Sequence, residues 1–78
     1  MRGYSQDNPF QKERRLLGET IKSLREGKRM TQEDLADKAS LDVSYLAKIE
    51  NGYVNTTIRY LIKISKGLGV KARDLIAF

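Results

Sequence analysis

Residues 31–52 read TQEDLADKASLDVSYLAKIENG. Two short helical patterns meet here with almost nothing between them. Thr31 is placed to cap the first, with Asp34 near its positive N-terminal end, and Leu35, Ala36 and Ala39 supply the apolar positions. After Ser40-Leu41, Asp42 is placed to cap the second, whose apolar positions are Leu46 and Ile49. Asn51-Gly52 is a stop signal, because both residues tolerate left-handed backbone angles. So tight a turn needs a small residue where the helices cross, and Ala36 provides it. Leu35, Ala39, Leu41, Leu46 and Ile49 then share one core. Asp42, Val43, Ser44, Ala47, Lys48 and Asn51 are left facing out. A projecting helix face of short and polar side chains can lie close in a major groove.

Helical patterns flank this stretch on both sides. Upstream, Asn8 can cap, Pro9 suits a first helical position and Gln11 can close a capping box. Leu17, Ile21 and Leu24 follow at helical spacing, and Gly27 fits a stop before the basic loop Lys28-Arg29. Downstream, Thr56 or Thr57 caps a fourth helix with Ile58, Leu61, Ile64, Ser65 and Leu68 on one side, its end bracketed by Gly67 and Gly69. A short fifth helix is expected over Ala72 to Phe78. No alternating apolar run suggests a strand. The expectation is an all-α fold of five helices, with residues 1–8 a flexible arm and 9–78 one domain.

At 78 residues there is room for one domain, which buries about 60% of its extended surface, so self-association would help stabilise it. The chain has no cysteine and no histidine, which excludes disulfides and imidazole chemistry. No metal site or cofactor is expected. Nor is an enzyme: there is no Gly-rich phosphate loop and no carboxylate pair in an obvious cleft. The apolar runs are far too short for a membrane helix, and no apolar leader opens the chain, so a cytoplasmic protein is the default. The net charge of +5 suggests a polyanionic partner. It is unevenly placed: residues 1–30 carry eight basic and four acidic residues, 53–78 five and one, and 31–52 two and five. If DNA is the partner, the flanks must supply most of the attraction to phosphate.

From about Leu17 to Ile76 the chain resembles the lambda-repressor-like, Cro/XRE-type helix-turn-helix proteins. Gln32, Ala36, Leu41, Leu46, Ile49 and the ending Glu50-Asn51-Gly52 sit where that family has its characteristic residues, as does the run Ile58, Leu61, Ile64, Leu68-Gly69-Val70, Leu75. Ser40 departs from it, since the turn usually has glycine; serine there needs a positive φ or an altered turn, at a cost of about 1 kcal/mol. Size and the pattern LDVSYLAKIENG…TIRYLIKISKGLGV are similar to the small controller proteins of restriction–modification systems. Phage Cro-like repressors and antitoxins share much of it, and an antitoxin with a protein partner is the competing reading.

The resemblance implies a regulator of transcription, autoregulated as is common in the family, that binds double-stranded DNA through the helix beginning at Val43. Ser44 and Lys48 are the leading candidates for base contacts, with Asp42, Val43 and Ala47 on the same face. A lysine can donate to guanine, and a hydroxyl can serve several bases. Val43 suits either a thymine methyl or its own neighbours, and Asp42 suits a cap better than a base. Gln32 matches a position that holds a phosphate at a helix N-terminus. Asn51, Tyr53 and Asn55 would contact a neighbouring phosphate, and Lys28 and Arg29 would add attraction without sequence preference. Tyr45 could buttress the helix or reach a phosphate. Arg25 and Glu50 match a partly buried structural ion pair of the family.

Tyr60, Ile62, Ile76, Ala77 and Phe78 are more apolar surface than one small domain needs; some of it, Ile76 in particular, is expected in the core, and the remainder points to a homodimer through the C-terminal third. Two copies would present their reading helices roughly 34 Å apart on a near-palindrome. Glu33 and Asp37, four apart on one face, match positions that touch RNA polymerase in lambda-repressor-like activators.

Overall fold

The computed structural model describes residues 10–76 and 78. Among them are four α-helices: α1 (Gln11–Gly27), α2 (Gln32–Ala39), α3 (Val43–Glu50) and α4 (Ile58–Leu68). No strand is present among the described residues. The all-α expectation holds, with four helices rather than five. In place of the fifth stands a single 3₁₀ turn, Ala72–Asp74. A segment this short cannot offset the cost of helix nucleation by itself. One turn suffices to bury Leu75 completely, and the Asp74 carboxylate closes the turn by accepting the Lys71 N–H at 3.0 Å. The expected cap at Asn8, Pro9 and the arm 1–8 lie outside the described residues, as does Ala77.

The core joins all four helices and the final turn. Leu17 and Ile21 of α1, Leu35 and Ala36 of α2, Leu46 and Ile49 of α3, Ile64 and Leu68 of α4, and Leu75 pack as one cluster. Helix α2 lies against α4, where Gly67 leaves room: a Cβ there would stand 3.0 Å from the Leu35 side chain. Helix α1 lies against α3, and Gly18 sets their separation. A Cβ on Gly18 would fall 2.3 Å from the Glu50 carbonyl oxygen and 2.6 Å from that of Ile49. The helices touch backbone to backbone there.

The helix ends follow local chemistry. Thr31 and Asp34 form a reciprocal capping box at the start of α2, and Thr57, not Thr56, caps α4 by accepting the Tyr60 N–H. Helix α1 begins at Gln11, after Phe10 in the left-handed region at φ 61°. Gly27 remains helical, and Arg29 takes the left-handed angle instead (φ 60°). Arg29 is held there because the chain folds straight back: the Met30 N–H reaches the Arg25 carbonyl at 3.1 Å. Ile58 points outward and is 73% exposed, although its spacing had placed it on the apolar side, and Ile76, expected in the core, is 48% exposed because the single 3₁₀ turn brings Leu75 inward instead. No helix is long and apolar enough to cross a membrane, among the described residues.

Candidate nucleic-acid interface

The turn joining α2 to α3 is Ser40-Leu41-Asp42. Ser40 adopts φ 56° and ψ 49°, so the glycine position of this turn is met by a serine in left-handed backbone. Two hydrogen bonds fasten it: the Leu41 N–H donates to the Ala36 carbonyl at 2.8 Å, and Lys63 Nζ on α4 donates to the Ser40 carbonyl at 3.1 Å. Ala36 is buried at the crossing, as a close turn requires. The turn directs α3 outward while Leu46 and Ile49 stay in the core.

The C-terminal end of α3 is fixed by a buried polar network. Arg25 Nε donates to Glu50 Oε2 at 2.8 Å and Arg25 Nη2 to Oε1 at 3.1 Å, a bidentate pair with side chains 9% and 2% exposed. Gln32 Nε2 adds a third hydrogen bond to Glu50 at 3.0 Å, and Arg25 Nη1 donates to the Met30 carbonyl at 2.7 Å. One ion pair thus ties α1, the loop after it, the first residue of α2 and the last of α3. The Glu50 hydrogen bond holds Arg25 still more firmly protonated than usual, against the opposing effect of burial. Gln32, expected to hold a phosphate, commits one of its two side-chain amide N–H donors to this network. Its backbone N–H at the start of α2 remains in the orientation that suits an anion.

The outward face is more diverse than the sequence implied. Asp42 caps α3 by accepting the Tyr45 N–H at 3.2 Å, and it also accepts the Ser44 hydroxyl. The Ser44 hydrogen bond, followed by the Tyr45 N–H, depresses the Asp42 carboxyl below its ordinary value. Asp42 and Ser44 satisfy one another at the tip of the helix, and Ser44 keeps its acceptor capacity for a base donor. Lys48 is exposed and Ala47 half-buried. Val43 packs on the core, choosing its neighbours over solvent. Tyr45 buttresses: its ring lies 4.8 Å from that of Tyr60, tilted by 47°. Lys63 Nζ sits 5.7 Å from the centre of the Tyr60 ring, so one α4 surface supports both the turn and the helix.

Among the expected phosphate contacts, Lys28, Arg29, Asn51, Tyr53 and Asn55 are all exposed. Asn51 and Tyr53 share a cleft with Gln11, Arg14 and Arg15 of α1, whereas Asn55 borders a separate, apolar groove with Phe10. Arg14 escaped the sequence reading. It is buried, and its Nε donates to the Gly52 carbonyl at 3.1 Å, pinning the loop after α3 to α1. Gly18 escaped it too, although an isolated glycine inside a helical pattern is itself a sign of close packing. Glu33 and Asp37 are exposed on α2, while Asp34 is engaged in the capping box. No group of acidic, histidine or cysteine residues that could hold a metal exists among the described residues.

A helix-turn-helix family model matches residues 21–75. The control protein C.BamHI of Bacillus amyloliquefaciens is 39% identical over 66 residues, covering 83% of this chain and 82% of that protein. The control protein C.MunI of Mycoplasma sp is 39% identical over 62 residues, covering 78% and 84%. The crystal structure of the restriction-modification controller protein C.AhdI from Aeromonas hydrophila aligns with a TM-score of 0.78 at 31% identity, over 80% of this chain and 94% of that one. With the tight turn, the outward helix and the buried arginine–glutamate pair already in place, this chain belongs to the Cro/XRE-type helix-turn-helix family.

Proposed function

We propose that this chain is a sequence-specific regulator of transcription, of the controller type, that binds a near-palindromic operator as a homodimer and regulates its own gene. The observation that carries the proposal is α3: anchored at one end by Arg25, Gln32 and Glu50, and exposed at Ser44 and Lys48. Lys48 and Ser44 read base edges in the major groove, with Ala47 giving close approach. Asp42 sets the tip of the helix. The backbone at Gln32, with Lys28, Arg29, Asn51, Tyr53 and Asn55, holds the phosphates. Relatives described as controller and control proteins support the assignment to regulation.

Dimerisation is supported by exposed apolar side chains. Phe10, Ile58, Ile62, Ile76 and Phe78 range from 43% to 73% exposed. Phe10, Ile76 and Phe78 also line an apolar groove of about 180 Å³ with Leu17, Val54 and Leu61. A patch of this kind marks an interaction surface, and the occupant we assign is a second copy of the chain. Tyr60 is half-buried against Tyr45, so it belongs to the support of α3 as much as to the interface. Exposed Glu33 and Asp37 form the surface for RNA polymerase at a site where the regulator activates.

The test is binding to duplexes carrying the inverted repeats that lie upstream of the chain's own coding region, in competition with random duplex. Preference for the repeat, with two chains per site by sedimentation, supports the proposal. Equal affinity for both duplexes refutes sequence reading, and a monomer with undiminished operator affinity refutes the dimer. For activation, Glu33→Lys with Asp37→Lys in a promoter reporter must lower activation while operator affinity is kept or improved; unchanged activation removes the polymerase surface.

A further inference from the structure

Beside α3 lies a cleft of about 400 Å³, formed by Gln11, Arg14 and Arg15 from the first turns of α1 and by Asn51, Gly52 and Tyr53 from the loop after α3. None of these six residues is acidic. The walls are pressed together: Gly52 takes φ +74°, and a Cβ on it would stand 3.0 Å from the Arg15 Cα. The Arg14 guanidinium lies buried and its Nε donates to the Gly52 carbonyl, which fixes the floor of the cleft beneath the loop. Arg15 stands free of that floor. Its side chain is 61% exposed, and it pairs with the Glu19 carboxylate, one turn on, at 3.8 Å. Such an exposed, loose pair is worth little and is easily exchanged for a stronger anion. Gln11 and Asn51 bring amide donors, and Tyr53, 70% exposed, brings a hydroxyl.

We infer that this cleft is a phosphate site in which Arg15, with Gln11 and Asn51, grips the DNA backbone beside each operator half-site. The inference rests on the DNA-binding reading above and extends the footprint from the loop onto the first turns of α1. Its chemistry is that of a planar, multiply donating guanidinium for phosphate oxygens. It also accounts for the distribution of charge. Residues 31–52 carry a net −3, so their attraction to DNA must be supplied by flanking cations such as Arg15.

The experiment is a salt titration of binding with the whole chain, on operator and on random duplex. Arg15→Gln is expected to flatten the slope of log affinity against log salt by about 0.9 for each copy bound, equally on both duplexes, because a phosphate contact carries no sequence information. Arg15→Lys is expected to restore most of the slope. Glu19→Gln is expected to tighten binding in the wild-type background and to have a smaller effect when residue 15 is glutamine. Trimming the operator duplex at its flanks should make wild type and Arg15→Gln alike. A slope unchanged by Arg15→Gln, with an unchanged melting temperature, overturns the inference. So does a site saturated by inorganic phosphate, followed through the Gln11 and Asn51 side-chain amide resonances, in a protein whose DNA slope ignores residue 15. Failure of the underlying reading has a different signature: wild type then shows no salt-dependent affinity for any duplex, which removes both.

Discussion

At the last residue of α3 the Glu50 carboxylate is 2% exposed and accepts three hydrogen bonds, two from Arg25 and one from Gln32. At the first turn of the same helix, Asp42 and Ser44 are exposed and bond to each other and to the turn they cap. The two ends are less than three turns apart. One is held by side chains from α1 and α2, so it moves with the domain. The other is stabilised from within, and under the proposed reading its Ser44 hydroxyl can turn from Asp42 to a base while the core stays in place. A reading helix needs both, because a tip that adapts is of use only on a helix whose axis does not.

Breaking the fixed end should have the largest effect. Arg25→Ala leaves Glu50 buried without its charged partner and should cost about 3–5 kcal/mol in denaturant unfolding. A loss below about 1 kcal/mol would place the pair with ordinary surface pairs. Gly18→Ala attacks the same end through the backbone. Alanine gains about 1 kcal/mol in helix propensity. Its Cβ, however, must displace two carbonyls of α3, and overpacking of that kind costs about 1–3 kcal/mol or more. The net result should be a lower melting temperature, and a rise would show that α1 can move away freely.

On the exposed surface the effects should appear in binding rather than in stability. Lys48→Ala should leave melting unchanged and reduce the preference for operator over random duplex by about 1–3 kcal/mol. Arg29→Ala should weaken binding to both duplexes alike, and identical behaviour of the two variants would show that α3 does not read the sequence. The smallest effect concerns acid. Asp34 is held below its ordinary pKa by the Thr31 backbone and side-chain hydrogen bonds, and Asp42 by Ser44 and Tyr45. Both carboxylates therefore stabilise the fold fully above their unfolded values, near 3.8, and lose that contribution as pH falls through their lower folded values. An Asp34→Asn, Asp42→Asn variant should show a shallower decline of stability below about pH 4. A decline as steep as that of wild type would mean that the caps are not the acid-sensitive groups.

What could be read from the sequence was local. Thr31, Asp42 and the pair Thr56-Thr57 announce helix starts because a capping side chain acts within three residues of itself, although which of the two threonines caps α4 is decided only in the fold. Leu35, Ala36, Leu46 and Ile49 announce the paired helices through their spacing, and family resemblance suggested the partnership of Arg25 with Glu50. The roles of Gly18, Arg14 and Gln32 were not legible, since each depends on a residue 18 or more positions away brought near by the fold. Arg29 rather than Gly27 turns left-handed because the Arg25 carbonyl decides where the chain returns, a preference that local propensity does not contain. Ile58 misled for the opposite reason. Its spacing matches the core stripe of α4, but it stands at the first residue of the helix, where the stripe has already run past the core.

The exposure of Ser44 and Lys48 has a consequence for how such a regulator can diverge. Changes at exposed positions away from caps and networks usually alter stability by no more than about 0.5 kcal/mol. Lys48 meets that condition and Ser44 departs from it by one exposed hydrogen bond to Asp42, so each can be replaced in turn with the fold kept, and under the proposed reading the preferred operator would shift with them. Asp42 and Glu50 allow no such drift, because each holds an end of the helix in place. A duplicated copy of this gene could acquire a new operator by one or two substitutions and inherit the scaffold intact.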